Sequence, residues 1–198
     1  PMTNEFKIGL ISDTHMPGAL KMLWPGVFDF FADCDAILHA GDLHTLEVVD
    51  ALSAVAPTYV ALGNGDEGLV DPRLKEHWLL SFGETQVGMM HQCPSPERKS
   101  DAVIEKHILK QFKTLPDILV FGHTHFESIT EKGSMVLINP GSPTLPHNQT
   151  LRPGTLGAIT IKTDQTDFAL YQIDDGKVVP HPSIPVLTRA STTAAISV

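Results

Sequence analysis

The chain has 198 residues, 42% of them hydrophobic and 19% charged, with a net charge of −9 at pH 7. This length and this hydrophobic content suffice to bury the core of one α/β domain. The negative charge argues against a groove for extended nucleic acid, which needs clustered Lys and Arg. No apolar stretch approaches the roughly 20 residues of a membrane helix, so we expect no membrane partner.

Apolar runs and their spacing predict the secondary structure in chain order. Short runs rich in β-branched residues predict buried strands over 7–11, 36–38, 59–62, 87–90 and 118–121. Apolar side chains at helical spacing predict helices over 26–34, 43–56 and 95–113. The later sequence predicts strands over 135–138, 155–162 and 168–173, with a hairpin loop at 163–166.

Each of the five early strands is followed by a segment that carries Asp, Asn or His. The segments are Asp13-Thr14-His15, Gly41-Asp42, Gly63-Asn64-Gly65-Asp66, His91 and Gly122-His123-Thr124-His125. The carboxyl ends of strands in an open α/β sheet form the edge where ligands bind. Two carboxylates, one amide oxygen and four imidazoles exceed a four-ligand structural zinc site and suit two neighbouring metals. Any one segment alone is equally well explained as a turn or a cap.

The ordered set resembles a known family. Asp13-x-His15, Gly41-Asp42, Gly63-Asn64, His91 and Gly122-His123-x-His125 follow the order found in the calcineurin-like metallophosphoesterases. The segments Ile11-Ser12-Asp13-Thr14-His15 and Asn139-Pro140-Gly141-Ser142 are most similar to the small, YfcE-like phosphodiesterase branch. The resemblance runs from about residue 6 to residue 175 and implies a four-layer α/β/β/α sandwich, in which helices flank two mixed sheets.

The resemblance also implies a role for each ligand-type residue. It implies that one metal is held by Asp13, His15 and His125, and the other by Asn64, His91 and His123. Asp42 would bridge the two, and Asp42 and Asn64 would then be catalytic residues. Spacing adds some independent support, because residues two apart in an extended segment point to the same face. This applies to the Asp13/His15 pair and to the His123/His125 pair.

The implied activity is hydrolysis of a small phosphodiester. A hydroxide that bridges the metals would attack phosphorus in line with the leaving oxygen, and the cations would offset the developing charge. The mixed ligands suit Mn²⁺, Fe²⁺, Co²⁺, Ni²⁺ and Zn²⁺ alike, and the family favours Mn²⁺. Two alternatives stay open. One is a phosphomonoesterase with the same site, and the other is a non-catalytic interaction scaffold like the retromer subunit on this fold.

The chain departs from the family at residue 65. Many larger relatives have His directly after the Asn of the Gly-Asn motif, where it protonates the leaving group, whereas this chain has Gly65. We therefore expect rates that depend strongly on the leaving group. His44, two residues past Asp42, is a candidate substitute, although a solvated histidine at a helix start is the alternative. Gly65, Asp66 and Ser142 are candidates for substrate binding, with turn formation as the alternative for Ser142.

Several other residues near these motifs are assigned no direct role in the metal site. His39 reads as a buried structural histidine, and Cys93 could line the pocket. His91 is followed by Gln92-Cys93-Pro94, where relatives often have Gly-His, which changes the loop beside the site. His147 falls where close relatives tend to carry Arg, and Arg152 could supply that charge instead.

Organisation and location follow from what the sequence lacks. We find no internal repeat or domain linker and expect a single domain over 1–198, with its core at about 6–175. Residues 178–198 form a C-terminal extension to which the sequence assigns no role. The N-terminal region has no apolar segment typical of a signal peptide, and two cysteines do not suggest a disulfide framework. We therefore expect a cytoplasmic protein. The expected partner is a small phosphate ester, and a homo-oligomer is left open.

Overall fold

Two mixed β-sheets and three α-helices make up the computed structural model, which describes residues 5–191. The strands are β1 (Phe6–Ile11), β2 (Ala36–His39), β3 (Thr58–Ala61), β4 (Leu74–Lys75), β5 (His77–Phe82), β6 (Thr85–Met90), β7 (Ile118–Val120), β8 (Ser128–Lys132), β9 (Met135–Asn139), β10 (Thr155–Ile161), β11 (Gln165–Asp174), β12 (Lys177–Pro180) and β13 (Leu187–Ala190). The helices are α1 (Pro25–Phe31), α2 (Leu46–Ser53) and α3 (Asp101–Phe112). Short 3₁₀ turns cover Asn64–Asp66 and Pro146–Asn148.

The first sheet has the strand order β12-β11-β10-β1-β2-β3-β4, and β13 pairs with the first half of β11. Its strands β1 to β4 run parallel, whereas β10 pairs antiparallel with β1. The second sheet has the order β5-β6-β7-β9-β8, with parallel β6, β7 and β9 between two antiparallel edge strands. Both sheets are therefore mixed, as expected.

Three apolar cores separate four layers. The core between the sheets contains, among others, Ile8, Leu10, Leu38, Val87 and Val120. A second core joins α1 and α2 to the outer face of the first sheet through Val27, Phe31, Val49 and Leu52. A third core packs α3 on the second sheet through Ile104, Ile108 and Phe112. This order of layers confirms the predicted α/β/β/α sandwich.

The parallel strands of both sheets end at one edge of the sandwich. In the first sheet, Ile11 at the end of β1 lies opposite His39 of β2, which in turn lies opposite Val60 of β3. A hydrogen bond from the Gly122 amide to the His91 carbonyl, 2.9 Å long, joins the segments that follow β6 and β7. Since every ligand-type segment follows one of these strands, the topology collects all five segments at this edge.

All three predicted helices are longer than the observed ones. Helix α2 begins at Leu46 rather than at residue 43, because His44 has a φ of +68° and the Thr45 side chain caps the helix by accepting from the Glu47 amide. Helix α3 begins after Ser100, which caps it in the same way, because residues 95–100 form a separate turn. Helix α1 ends three residues earlier than predicted, at Phe31.

The strands that the sequence analysis missed are β4, β5, β8, β12 and β13. The predicted hairpin loop at 163–166 is also too long, because Thr166 pairs with Ile161 and only residues 162–164 lie between β10 and β11. The extension from residue 178 continues the first sheet, since β12 and β13 both pair with β11. Its last seven residues, 192–198, lie outside the described part.

Two findings bear on the expected environment. Over residues 5–191, none of the helices combines the length and the apolar character that a bilayer crossing demands. Cys34 and Cys93 are both buried free thiols, so the described chain has no disulfide.

Candidate metal centre

Five of the seven ligand-type residues have a left-handed backbone conformation. The φ angles are +54° at Asp13, +44° at His15, +61° at Asp42, +73° at His123 and +65° at His125. The prediction that 13–15 and 123–125 are extended is therefore wrong. Each such residue costs about 1 kcal/mol relative to the right-handed region, and strain of this kind clusters at functional sites.

Backbone hydrogen bonds between neighbouring loops hold the first of these turns. The Asp13 amide donates to the Gly41 carbonyl at 2.8 Å, and the His15 amide donates to the Asp42 carbonyl at 3.0 Å. The loop after β1 is thus tied to the loop after β2. These bonds lock both side chains of the Asp-x-His segment toward the same point.

The Asp42 carboxylate lies between the two halves of the site. Its Oδ2 is 3.4 Å from Nε2 of His15 and 3.4 Å from Nε2 of His91. Its other oxygen, Oδ1, accepts a hydrogen bond from the Gly65 amide at 2.8 Å. One carboxylate oxygen therefore faces imidazoles that come from different sheets, which is the arrangement a bridging ligand requires.

Asp13 contributes an oxygen that has no partner in the protein. Its Oδ2 accepts from the Ser12 hydroxyl at 2.6 Å and from the His123 amide at 2.9 Å. Its Oδ1 is buried without a hydrogen bond and lies 3.5 Å from Nε2 of His125, and Nε2 of His15 is a second such atom. Because unpaired buried polar atoms are costly, these two atoms fit the ligands of a cation.

Carbonyl groups orient two of the imidazoles. Nδ1 of His91 donates to the Ala40 carbonyl at 2.7 Å, and Nδ1 of His125 donates to the Leu145 carbonyl at 2.8 Å. A proton on Nδ1 leaves the lone pair on Nε2, which is the form that binds a metal. In both residues Nε2 is the atom that faces a carboxylate.

The remaining two predicted ligands lie on the side of His91. Nδ1 of His123 is 3.3 Å from Nε2 of His91, and the two rings are edge to face. Asn64 is exposed, begins a 3₁₀ turn and lines the same cavity as His91. Potential ligand atoms of Asp13, His15 and His125 form one compact cluster, within 4.8 Å of one another, and those of Asp13, Asp42 and His91 form a second.

The close packing of carboxylates and imidazoles shifts their pKa values. The carboxylates of Asp13 and Asp42 close to its ring raise the pKa of His15 to about 9. Burial alone would lower the pKa of His91, but Asp42 and the charge of Asp13 outweigh burial and raise it. Burial likewise opposes the change at Asp42, whose pKa is lowered by the neighbouring imidazoles of His15 and His91. A cation at this centre would therefore compete with protons for the imidazole nitrogens.

The Asp66 carboxylate is hydrogen-bonded to the backbone around the site. The Asp66 side chain is 1% exposed, and its Oδ2 accepts from the amides of Asp42 and Gly63 at 2.8 and 2.9 Å. Its Oδ1 accepts from the His44 amide at 3.0 Å. The carboxylate is fully used in shaping the loop that carries Asp42. Its expected role in substrate binding therefore has no support in these contacts.

Ser142 also holds a loop together. It is fully buried, and its hydroxyl donates to the Asp13 carbonyl at 2.7 Å while accepting from the Leu145 amide at 2.8 Å. Ser142 thereby links the Asp-x-His turn to the segment whose carbonyl orients His125. These contacts favour turn formation, the alternative reading of this residue.

His44 occupies the space that a side chain at residue 65 would need. A Cβ added at Gly65 would collide with the His44 ring, so only glycine leaves room for it. The ring is exposed, packs edge to face on His15 at a centroid distance of 4.3 Å, and forms a potential ligand cluster with His15 and Asp42. The site therefore has an imidazole close to the position at which many relatives carry one.

The other residues singled out from the sequence have different surroundings. His147 pairs with Glu127 at 2.7 Å, and Arg152 lies in a separate cleft. Cys93 lines the cavity beside His91, and burial raises the pKa of its thiol to about 12, which makes it a poor nucleophile. His39 is fully buried and hydrogen-bonded, as expected of a structural histidine.

With the fold and the site described, the comparison with known proteins identifies the class. The calcineurin-like phosphoesterase superfamily domain matches residues 6–165, and the chain belongs to this superfamily. A probable metallophosphoesterase of Methanothermobacter thermautotrophicus is 38% identical over 141 residues, which are 70% of this chain and 78% of that protein.

Solved structures show the same fold at lower identity. Vacuolar Protein Sorting 29 from Cryptosporidium parvum has a TM-score of 0.74 at 22% identity and covers 94% of this chain and 98% of its own. Wild-type Vps29 from Entamoeba histolytica, solved in complex with Zn²⁺, has a TM-score of 0.69 at 24% identity over 93% and 99% of the two chains. Both structures agree with the two-sheet architecture described above.

Proposed function

We propose that this chain is a dinuclear metal-dependent phosphodiesterase. The observation that carries the proposal is the position of Asp42 Oδ2, 3.4 Å from the imidazoles of both His15 and His91. The unpartnered Asp13 Oδ1 adds a second oxygen to the same centre. Two bound cations would supply an activated water and offset charge on the phosphoryl oxygens. The protein's own residues fix the cations and the ester in place.

Each cation has a complete set of side chains in this proposal. Asp13, His15 and His125 hold one, Asn64, His91 and His123 hold the other, and Asp42 is shared. Imidazole and carboxylate ligands do not select one transition metal by affinity alone. We propose Mn²⁺ as the working metal, and Zn²⁺ is the first alternative because the Entamoeba histolytica Vps29 structure contains it.

The charge around the site favours a diester over a monoester. Within the described residues, no Lys or Arg side chain is hydrogen-bonded to, or ion-paired with, any of the seven candidate ligands. A phosphomonoester carries one more negative charge than a diester at neutral pH and would gain most from such a cation. In this site the metals alone would have to offset the extra negative charge of a monoester.

His44 is the proposed donor to the leaving oxygen. Its ring lies against Gly65 and within reach of the same centre as His15 and Asp42. General acid catalysis contributes typically 10²–10⁴-fold, and most where the leaving group is a poor one. The His44→Ala variant should therefore lose about 10²-fold in rate on an alkyl leaving group and little on p-nitrophenolate. Equal losses on both would remove His44 from this role.

Hydrolysis of two reporter esters tests the activity. Metal-stripped protein is assayed on bis-p-nitrophenyl phosphate and on p-nitrophenyl phosphate, before and after Mn²⁺ or Zn²⁺ is restored. We expect metal-dependent turnover of the diester that is lost in Asp42→Ala and kept in Asp29→Ala, which changes an exposed Asp of α1. Turnover of the monoester alone would make the protein a phosphomonoesterase.

The fold of the Vps29 proteins supports a second candidate, an interaction scaffold. The likeness at a TM-score of 0.74 extends over nearly the whole chain. Against it stands the convergence of all seven ligand-type residues, which a scaffold does not need. Tight metal binding without turnover of either ester, with every tested divalent ion, would favour the scaffold over the enzyme.

A further inference from the structure

A cavity of about 550 Å³ opens beside the metal centre. Asn64 and His91, which are candidate ligands of the same metal, form part of its wall. Its volume falls within the range of about 300–1,000 Å³ that is typical of small-molecule sites. A group attached to a phosphate at the candidate metal centre would therefore have room in this space.

The opposite wall comes from α3 and from the start of β5. His107 and Gln111 lie four residues apart on α3 and line the cavity together, as expected for one helix face. Glu76 and His77 line it from the β5 side, and the His77 ring packs edge to face on Phe112 at 5.2 Å. This wall offers imidazole and amide groups that can donate and accept hydrogen bonds.

The loop after β6 completes the cavity. Gln92, Cys93 and Pro94 line it directly after the candidate ligand His91. Met90, at the end of β6, adds an apolar surface. This part of the wall is therefore continuous in sequence with the metal centre.

The charge of the wall restricts what can bind. The lining contains one carboxylate, Glu76, and neither Lys nor Arg. Glu76 has no ion-pair partner among the described residues, so its charge is available to a ligand. A second phosphate or a carboxylate in the cavity would meet like charge and no compensating cation. An amino or hydroxyl group would find an acceptor.

We propose that this cavity binds one ester group of the substrate, and that it selects an uncharged, hydrogen-bonding group of nucleoside size over an anionic one. The inference rests on the proposed function, because the metals must hold the phosphate that this group carries. It assigns specificity to His107, Gln111 and Glu76, which lie outside the metal centre.

Equilibrium binding tests the proposal without requiring turnover. Calorimetry with Mn²⁺-loaded protein compares inorganic phosphate, adenosine 5′-monophosphate and adenosine 3′,5′-bisphosphate. We expect the monophosphate to bind at least about tenfold more tightly than inorganic phosphate, which leaves the cavity empty. We expect the bisphosphate, with its second anionic group, to lose about tenfold relative to the monophosphate.

Two pairs of variants locate the effect. Changing both His107 and Gln111 to Ala should weaken the binding of the monophosphate about tenfold and leave the binding of inorganic phosphate unchanged. Changing both Lys106 and Lys110 to Ala should alter neither affinity. The control pair has the same spacing on α3 but lies on its exposed side. Glu76→Gln should reduce the difference in affinity between the monophosphate and the bisphosphate. Glu84→Gln, at the other end of the β5–β6 hairpin, should leave it as it was.

The outcomes separate this inference from the proposed activity. Equal binding of phosphate and monophosphate, or no effect of the His107/Gln111 change, would overturn the cavity assignment even if diesters are hydrolysed. Selective monophosphate binding without diester turnover would leave the cavity assignment intact and refute the activity. Absence of both metal-dependent binding and turnover would overturn both.

Discussion

Replacing Asp66 by Asn should loosen the metal centre without touching any ligand. The carboxylate accepts three backbone hydrogen bonds in a buried position, two at Oδ2 and one at Oδ1. An Asn side chain has a single acceptor oxygen, so at least one bond is lost and an amide group then faces the donor left behind. A hydrogen bond to a charged group contributes about 1.5–3 kcal/mol, and each surviving bond would weaken by about 1 kcal/mol. With one bond lost and two weakened, the sum predicts a destabilisation of about 3.5–5 kcal/mol.

Metal affinity should fall with stability, because Asp66 bonds directly to the Asp42 amide. Loss of a group that orients a ligand typically lowers metal affinity by 10–100-fold. Urea unfolding gives the stability, and calorimetric titration with Mn²⁺ gives the affinity. The control is Asp117→Asn, which removes an exposed carboxylate that accepts one bond from the Gln86 amide, far from the site. An Asp66→Asn variant with unchanged Mn²⁺ affinity would refute the positioning role.

Three further outcomes follow from other contacts. Burial lowers the pKa of His39 from 6.5 to about 4, so between these pH values the imidazole is protonated in the unfolded chain and neutral in the folded one. The free energy of unfolding should therefore fall by about 3 kcal/mol as the pH drops through this window. Urea unfolding of His39→Asn at a series of pH values should lack this part of the pH dependence. Gly41→Ala should lower the free energy of unfolding by about 2 kcal/mol or more, because φ is +109° and the new Cβ would meet the His91 ring and the Ala61 carbonyl. The matched control is Gly68→Ala, where φ is +86° but no atom lies near the new Cβ. Equal losses of stability in the two variants would contradict the role of the contact. Mn²⁺ at a hundred times the dissociation constant of a site should raise the unfolding free energy by about 2.7 kcal/mol for each cation bound, as measured by thermal melts. A similar rise in Asp42→Ala would count against the assigned centre.

Residue order alone revealed much of this architecture, because buried parallel strands have a recognisable composition and ligands follow them directly. The segments after β1, β2, β3, β6 and β7 were predicted from that pattern, whereas the layer order was implied by the family resemblance. The strands that escaped prediction are two-residue β4 and the half-exposed strands at the sheet edges. Such strands lack a continuous apolar run, and their pairing depends on a neighbour distant in sequence.

The site shows where local reasoning fails. The left-handed turns at Asp13 and His123 replace the expected extended geometry, because tertiary hydrogen bonds override the conformation that each residue favours alone. The role of Asp66 was missed for the same reason, since two of its three partners, the amides of Asp42 and His44, lie more than twenty residues away along the chain. Glycine at 65 looked like a loss, whereas the structure shows it making room for His44. The two residues are 21 apart in the chain, so their contact could not be read from spacing alone.

The division of the ligands between the two sheets has a mechanical consequence. Asp13, His15, Asp42 and Asn64 follow strands of the first sheet, and the three remaining histidines follow strands of the second. Neither half of the sandwich therefore carries a full set for both cations. Bound metals would act as a cross-link between the sheets, in a chain whose two cysteines are both free. Separating the sheets would then require releasing the ions, so the centre that performs the chemistry would also fasten the two halves of the fold.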